Sequence, residues 1–204
     1  MKNKIIAVIG AGGKTTLIHR LAEEYRRKGA SVLVSTTTHM LVEPDTDLSC
    51  DSFAVMEKIK KTGYCMAGAV CPENSAKMQS LPEQMLHDLM KQVDYALIEA
   101  DGAKHYALKY PSEQEPVIPE GTTDVILVLG SWDLGKPCKD VVFRFEHMTS
   151  ALGISGDMKA DKQMLQWIWQ AYEGKLKNMD YHGHFHVLLS EKTDQGLMFH
   201  TLEE

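Results

Sequence analysis

The chain has 204 residues, 44% of them hydrophobic and 25% charged, enough apolar material for a sizeable core. Its formal net charge of -6 excludes a broad basic surface, so no nucleic-acid partner is expected. No apolar run approaches the roughly 20 residues of a membrane helix, and Cys50, Cys65, Cys71 and Cys138 form neither a CxxC pair nor a disulfide framework, so a cytoplasmic protein with reduced thiols and no membrane partner is expected.

Lys4–Ile9 is β-rich and bounded by glycine, so it predicts a first strand rather than a signal peptide. Residues 14–28 carry Leu17, Ile18, Leu21, Ala22 and Tyr25 at helical spacing, and Gly29 follows as a stop. Further strands are predicted over 31–36, 64–70, 95–102, 124–130 and 184–190. Helices are predicted over 81–93, with Pro82 in the first turn, and over 159–172. The stretch 103–123 holds three prolines and reads as an ordered loop with a functional role. Continuous apolar strands alternating with helices predict an α/β fold, with a mostly parallel sheet covered on both faces. One domain over residues 1–204 is expected.

Three polar clusters fall directly after predicted strands, at 10–16, 36–39 and 99–104, where ligands gather in such sheets. The first, Gly10-Ala-Gly-Gly-Lys-Thr-Thr16, sits between a strand and an amphipathic helix. A helix N-terminus has unpaired N–H groups with partial positive charge, and Gly10, Gly12 and Gly13 permit close backbone approach. Lys14 would reach the β- and γ-phosphates of a nucleoside triphosphate, and the Thr15 hydroxyl would bind Mg²⁺. The standard pattern wants glycine at position 8, where this chain has Val8. Glu99 and Asp101 end a buried strand two residues apart, where a Mg²⁺-ordering carboxylate belongs. Thr37 and Thr38 leave the second strand with hydroxyls that would meet Mg²⁺ or the γ-phosphate, or simply cap a turn.

These residues, with "EADGAKHYALKYPSEQEPVIP" (99–119) and "VLGSWDLGKP" (128–137), resemble the YqeC family, accessory proteins of selenium-dependent molybdenum hydroxylases. The resemblance covers about residues 5–155. It implies a three-layer α/β/α P-loop NTPase fold and a part in maturing a molybdenum hydroxylase or its cofactor. It places phosphate binding on Gly10, Gly12, Gly13, Lys14, Thr15 and Thr16. It also matches Thr36–His39, Glu99, Asp101, Gly102, Lys104, Leu108, Lys109, Glu115, Pro116 and Pro119. Glu99, Asp101 and Lys104 are the expected catalytic residues, with Lys104 on phosphate or substrate. Where the family has Gly-Arg after Lys104, this chain has His105-Tyr106, and where it has His-Arg after the fifth strand, this chain has Phe143-Arg144.

Whether the base is guanine or adenine stays open. Glu191-Lys-Thr-Asp194 parallels the guanine-reading Asn/Thr-Lys-x-Asp motif, with Asp194 on the ring and the Lys192 stem on its face, but Glu191 departs from it. His182, His184 and His186 alternate, yet neighbours on one strand face are nearly 7 Å apart, which suits an exposed edge better than a tetrahedral ion. Cys65 and Cys71 read as small buried thiols rather than selenium- or sulfur-handling groups. Trp167 and Trp169 are expected on different helix faces, one in the core. The leading expectation is a slow Mg²⁺-dependent NTPase. Its rivals are an ATP-dependent ligase with a short Gly-x-x-Gly-Lys-Thr-Thr loop and a non-catalytic nucleotide-binding scaffold. Homodimerisation stays open.

Overall fold

A computed structural model describes residues 3–202. The chain divides into two compact units. The first contains the residues up to Val8, Thr15–Gly102 and Val117–Asp124. Its elements, in chain order, are β1 (Lys4–Gly10, here to Val8), α1 (Lys14–Arg27, here from Thr15), β2 (Val32–Thr36) and β3 (His39–Leu41). They continue with α2 (Ser52–Thr62), β4 (Tyr64–Met66), β5 (Ala69–Val70), β6 (Lys77–Gln79), α3 (Glu83–Lys91) and β7 (Tyr95–Glu99).

Strands pair in the order β1-β7-β2-β4, all parallel, as their unbroken apolar sequences require. Ile5, Leu33 and Cys65 share one row with Ala96. With Ile98 they face Val55 and Ile59 of α2 and Leu86, Leu89 and Met90 of α3 in one buried cluster. Tyr95 has the opposite parity to Ala96 and stacks on Tyr25 of α1, ring centroids 3.7 Å apart. So α1 covers one face and α2 with α3 the other, and the expectation of helices on both faces holds for this unit. Truncating a fully buried residue such as Leu89 to alanine costs about 2–5 kcal/mol.

The second unit contains Ile9–Lys14, Ala103–Pro116 and the residues from Val125 onward. Its elements are β8 (Leu108–Lys109), β9 (Asp124–Gly130, here from Val125), α4 (Cys138–Val141), β10 (Val142–Phe143), α5 (Phe145–Leu152), α6 (Lys162–Asn178), β11 (His184–Thr193) and β12 (Gly196–Thr201). Strand order is β9-β11-β12, with β11 and β12 antiparallel. The short β8 and β10 pair in parallel. Helix α6 starts at Asp161, whose carboxylate accepts from the Met164 N–H at 3.0 Å, and buries Met164, Leu165, Ile168, Tyr172 and Leu176.

Several boundaries differ from the sequence reading. The strand expected over 64–70 breaks after Met66, because Ala69–Val70 pairs with β6 in a separate three-stranded sheet with β3. Helix α2 was not expected. Its signals are plain in retrospect: Asp51 accepts from the Phe53 and Ala54 N–H groups, and Gly63 follows the last turn in left-handed geometry. Trp167 and Trp169 are both half-buried and flank buried Ile168, so neither is the core residue expected.

Candidate functional site

The glycine turn lies in the second unit up to Lys14. Gly10, Gly12 and Gly13 have φ of 84°, 86° and 114°. Glycine is required at position 12 twice over: a Cβ there would lie 2.6 Å from both the Ala107 carbonyl oxygen and Gly130 Cα. The Ala11 N–H donates to Val128 O at 2.9 Å, and Gly130 N–H donates to Ala107 O at 2.9 Å. The Ser190 hydroxyl donates to the Gly12 carbonyl. These bonds fix the turn, so its shape is set by β9, β11 and the 103–107 segment rather than by the loop alone. Lys14 is 5% exposed, and its ammonium donates to Gly10 O at 2.9 Å, folding back over the turn.

In the first unit, the Thr15 hydroxyl donates to Glu99 Oε2 at 2.9 Å. Glu99 ends β7, where Val8 and Thr36 are its partners in the two neighbouring strands. The Thr36 hydroxyl donates to the Glu99 carbonyl at 2.8 Å, as does the Thr37 N–H at 3.1 Å. Thr36 Oγ1 also accepts from the Thr38 N–H at 3.0 Å, and the Thr37 hydroxyl donates to Val117 O at 2.7 Å. Asp101 is fully buried. Thus Thr15, Thr37, Thr38 and Glu99 come together on one network of hydroxyl, carboxylate and backbone groups. Thr16 follows half-buried on α1.

Lys104 lies in the second unit, in left-handed backbone geometry, with its ammonium 5.3 Å from the Phe143 ring centroid. The same ring has Lys109 Nζ at 5.6 Å and the Arg144 guanidinium at 5.4 Å. Glu115 Oε2 binds Lys109 Nζ at 2.5 Å and Arg144 Nη2 at 3.0 Å. Arg144 Nη1 also meets Ser112 Oγ, and Lys175 of α6 donates to the Ser112 carbonyl at 2.7 Å. The 109–115 part of the expected loop is therefore held by ion pairs within the second unit. Sequence reading named Lys109, Glu115 and Arg144 separately but missed their grouping, which no local spacing signals.

Asp194 is exposed in the turn of the β11–β12 hairpin. Glu191, Lys192 and Thr193 pair in the ladder with Met198, Leu197 and Gly196. Lys192 Nζ lies 4.5 Å from the Trp132 ring centroid, so its ammonium is already engaged with an indole. His184 and His186 rings are 6.3 Å apart on β11, while His182 precedes the strand beside Asp180. Cys65 is buried, and burial pushes its thiol up to about 11, which keeps it protonated and unreactive near neutrality.

A family model described as YqeC protein matches residues 6–146, from β1 into α5 and including both networks. The chain belongs to the YqeC family. The uncharacterized protein YqeC of Escherichia coli (strain K12) is 32% identical over 183 residues, covering 86% of this chain and 71% of that relative. No solved structure matches. His105, like Lys104, has left-handed backbone geometry, with φ 65°. The Tyr106 and Phe143 rings are in contact, with centroids 5.6 Å apart.

Proposed function

We propose that this YqeC protein binds a Mg²⁺–nucleoside triphosphate, GTP or ATP, and hydrolyses it slowly, with a P-loop NTPase fold as the frame. The observation that carries the reading is the Thr15–Glu99 hydrogen bond in the first turn of the helix that follows the glycine turn. Residues 10–16 are continuous, so loop amides, the Lys14 ammonium and the Thr15 hydroxyl follow one another along the chain. That order suits a triphosphate with its cation.

The donor set fits Mg²⁺, a hard cation that takes oxygen ligands: Thr15 and Glu99, with Asp101, would hold it. When bound, Mg²⁺ neutralises charge on phosphate oxygens. Loop amides and Lys14 hold the phosphates, with Lys14 leaving Gly10 O to do so. Asp101 orients the attacking water, and Thr37 and Thr38 supply hydroxyls. Lys104 contacts phosphate or substrate. Hydrolysis is slow because the Arg144 guanidinium is committed to Glu115 and Ser112 rather than offered to transferring charge. The activity would serve the maturation of a selenium-dependent molybdenum hydroxylase, a reading supported by the resemblance to the YqeC family.

Calorimetric titration with Mg-GTP and Mg-ATP, followed by product analysis, tests the reading. Binding of either, with slow release of inorganic phosphate, is the expected result. Nucleotide diphosphate accompanied by a new amide product would replace it with a ligase, and binding without turnover would replace it with a scaffold.

A further inference from the structure

Directly after the Thr36–Thr38 segment, the small sheet β3-β6-β5 brings His39 to two further metal-ligating side chains, Cys71 and Glu73. His39 opens β3, and Cys71 directly follows β5. The two strands flank β6, with His39 and Ala69 both opposite Gln79. Cys71 then starts a tight turn, closed by the Asn74 N–H on the Cys71 carbonyl at 3.2 Å. Pro72 takes the second position of that turn, where its fixed φ is favoured, and Glu73 takes the third. Asn74 Oδ1 accepts from the Ala76 N–H at 3.0 Å, and the Val42 N–H donates to Ala76 O at 3.0 Å, tying the turn back beyond β3.

The ligand atoms of His39, Cys71 and Glu73 all lie within 4.8 Å of one another. The Cys71 thiol is 3% exposed and sits 3.3 Å from Glu73 Oε2, to which it donates. The Glu73 carboxyl is held below the usual carboxylate range by its own backbone N–H, by the Cys71 thiol and, to a lesser degree, by His39. Metal bonds of about 2.0–2.3 Å in a tetrahedral shell need ligand atoms about 3.3–3.8 Å apart. The Cys71–Glu73 pair already has that spacing, and the exposed His39 and Glu73 side chains need about 1 Å of closure to complete it.

We propose that His39, Cys71 and Glu73 form a second metal site, for a zinc-class divalent cation, with a fourth position open to water or an external ligand. One nitrogen, one sulfur and one oxygen donor suit zinc and not Mg²⁺, which takes oxygen. Binding releases the Cys71 thiol proton to solvent, and the thiolate becomes a ligand. The site is independent of the nucleotide reading, and either can fail without the other.

The test is titration of the full reduced, chelator-treated chain with Co²⁺ in excess Mg²⁺, which occupies oxygen-only sites. One equivalent of Co²⁺ with a thiolate-to-metal charge-transfer band, displaced by Zn²⁺, is the expected result. Cys71→Ser abolishes the band and Cys65→Ala retains it. His39→Ala, an exposed substitution that leaves the fold alone, weakens Co²⁺ binding at least about tenfold. Absence of saturable uptake by the wild type, a band that survives Cys71→Ser, or unchanged affinity in His39→Ala would overturn the proposal.

Discussion

The two polar networks of this chain solve opposite problems. Around Glu99 in the first unit, the carboxylate accepts from the Thr15 hydroxyl at 2.9 Å, while the backbone carbonyl accepts from Thr36 and Thr37. Around Glu115 in the second unit, a carboxylate is gripped by two cations, Lys109 at 2.5 Å and Arg144 at 3.0 Å, with side-chain exposures of 0%, 15% and 24% for Lys109, Glu115 and Arg144. Charge neutralised within a buried cluster is structural, because removing one partner strands the other in low dielectric. A carboxylate that accepts from a neighbouring hydroxyl, as Glu99 does from Thr15, suits a place on a hard cation. The proposed function therefore puts cation binding on Glu99, while the ion pairs put loop order on Glu115.

Substitution separates the two roles. Glu115→Ala leaves fully buried Lys109 without its carboxylate and should destabilise the chain by about 3–5 kcal/mol in urea unfolding. A loss under about 1 kcal/mol would erase the distinction. Glu99→Gln should reverse the pattern: a stability change of about 1 kcal/mol or less, but Mg-nucleotide binding weakened about 10–100-fold by calorimetry. Asp194→Asn should weaken GTP about tenfold and leave ATP unchanged if the hairpin turn reads guanine; equal effects on both would remove that role. Asp51→Ala, which removes the α2 cap far from either carboxylate in sequence, should cost about 1 kcal/mol in unfolding and nothing in binding.

Much of the first unit was legible in the sequence because its determinants are local. The apolar strands at 32–36 and 95–99 and the spacing of Leu17, Ile18 and Ala22 each carry their own signal. Thr15 and Glu99 were each expected at Mg²⁺, but their direct hydrogen bond depends on β7 lying beside β1, a strand order with no local signal. The small sheet β3-β6-β5 was not legible, because strands of two or three residues have no periodicity to detect. Likewise, β12 and the continuation of β11 through Thr193 depend on cross-strand pairing, and the polar run Glu191–Asp194 reads as a loop until a partner strand is present. The Lys109–Glu115–Arg144 cluster joins residues up to 35 positions apart, which no spacing rule connects.

The central claim is most directly tested by thermal unfolding of wild type and Lys14→Ala, each with Mg-GTP and with Mg-ATP. A ligand at 100 times its dissociation constant stabilises by about 2.7 kcal/mol, and a chain of this size gains about 2–4 °C per kcal/mol, so a rise of about 5–11 °C is predicted. The account predicts that rise with at least one nucleotide in wild type and its loss in Lys14→Ala. No rise with either nucleotide, or an equal rise in the variant, would contradict it.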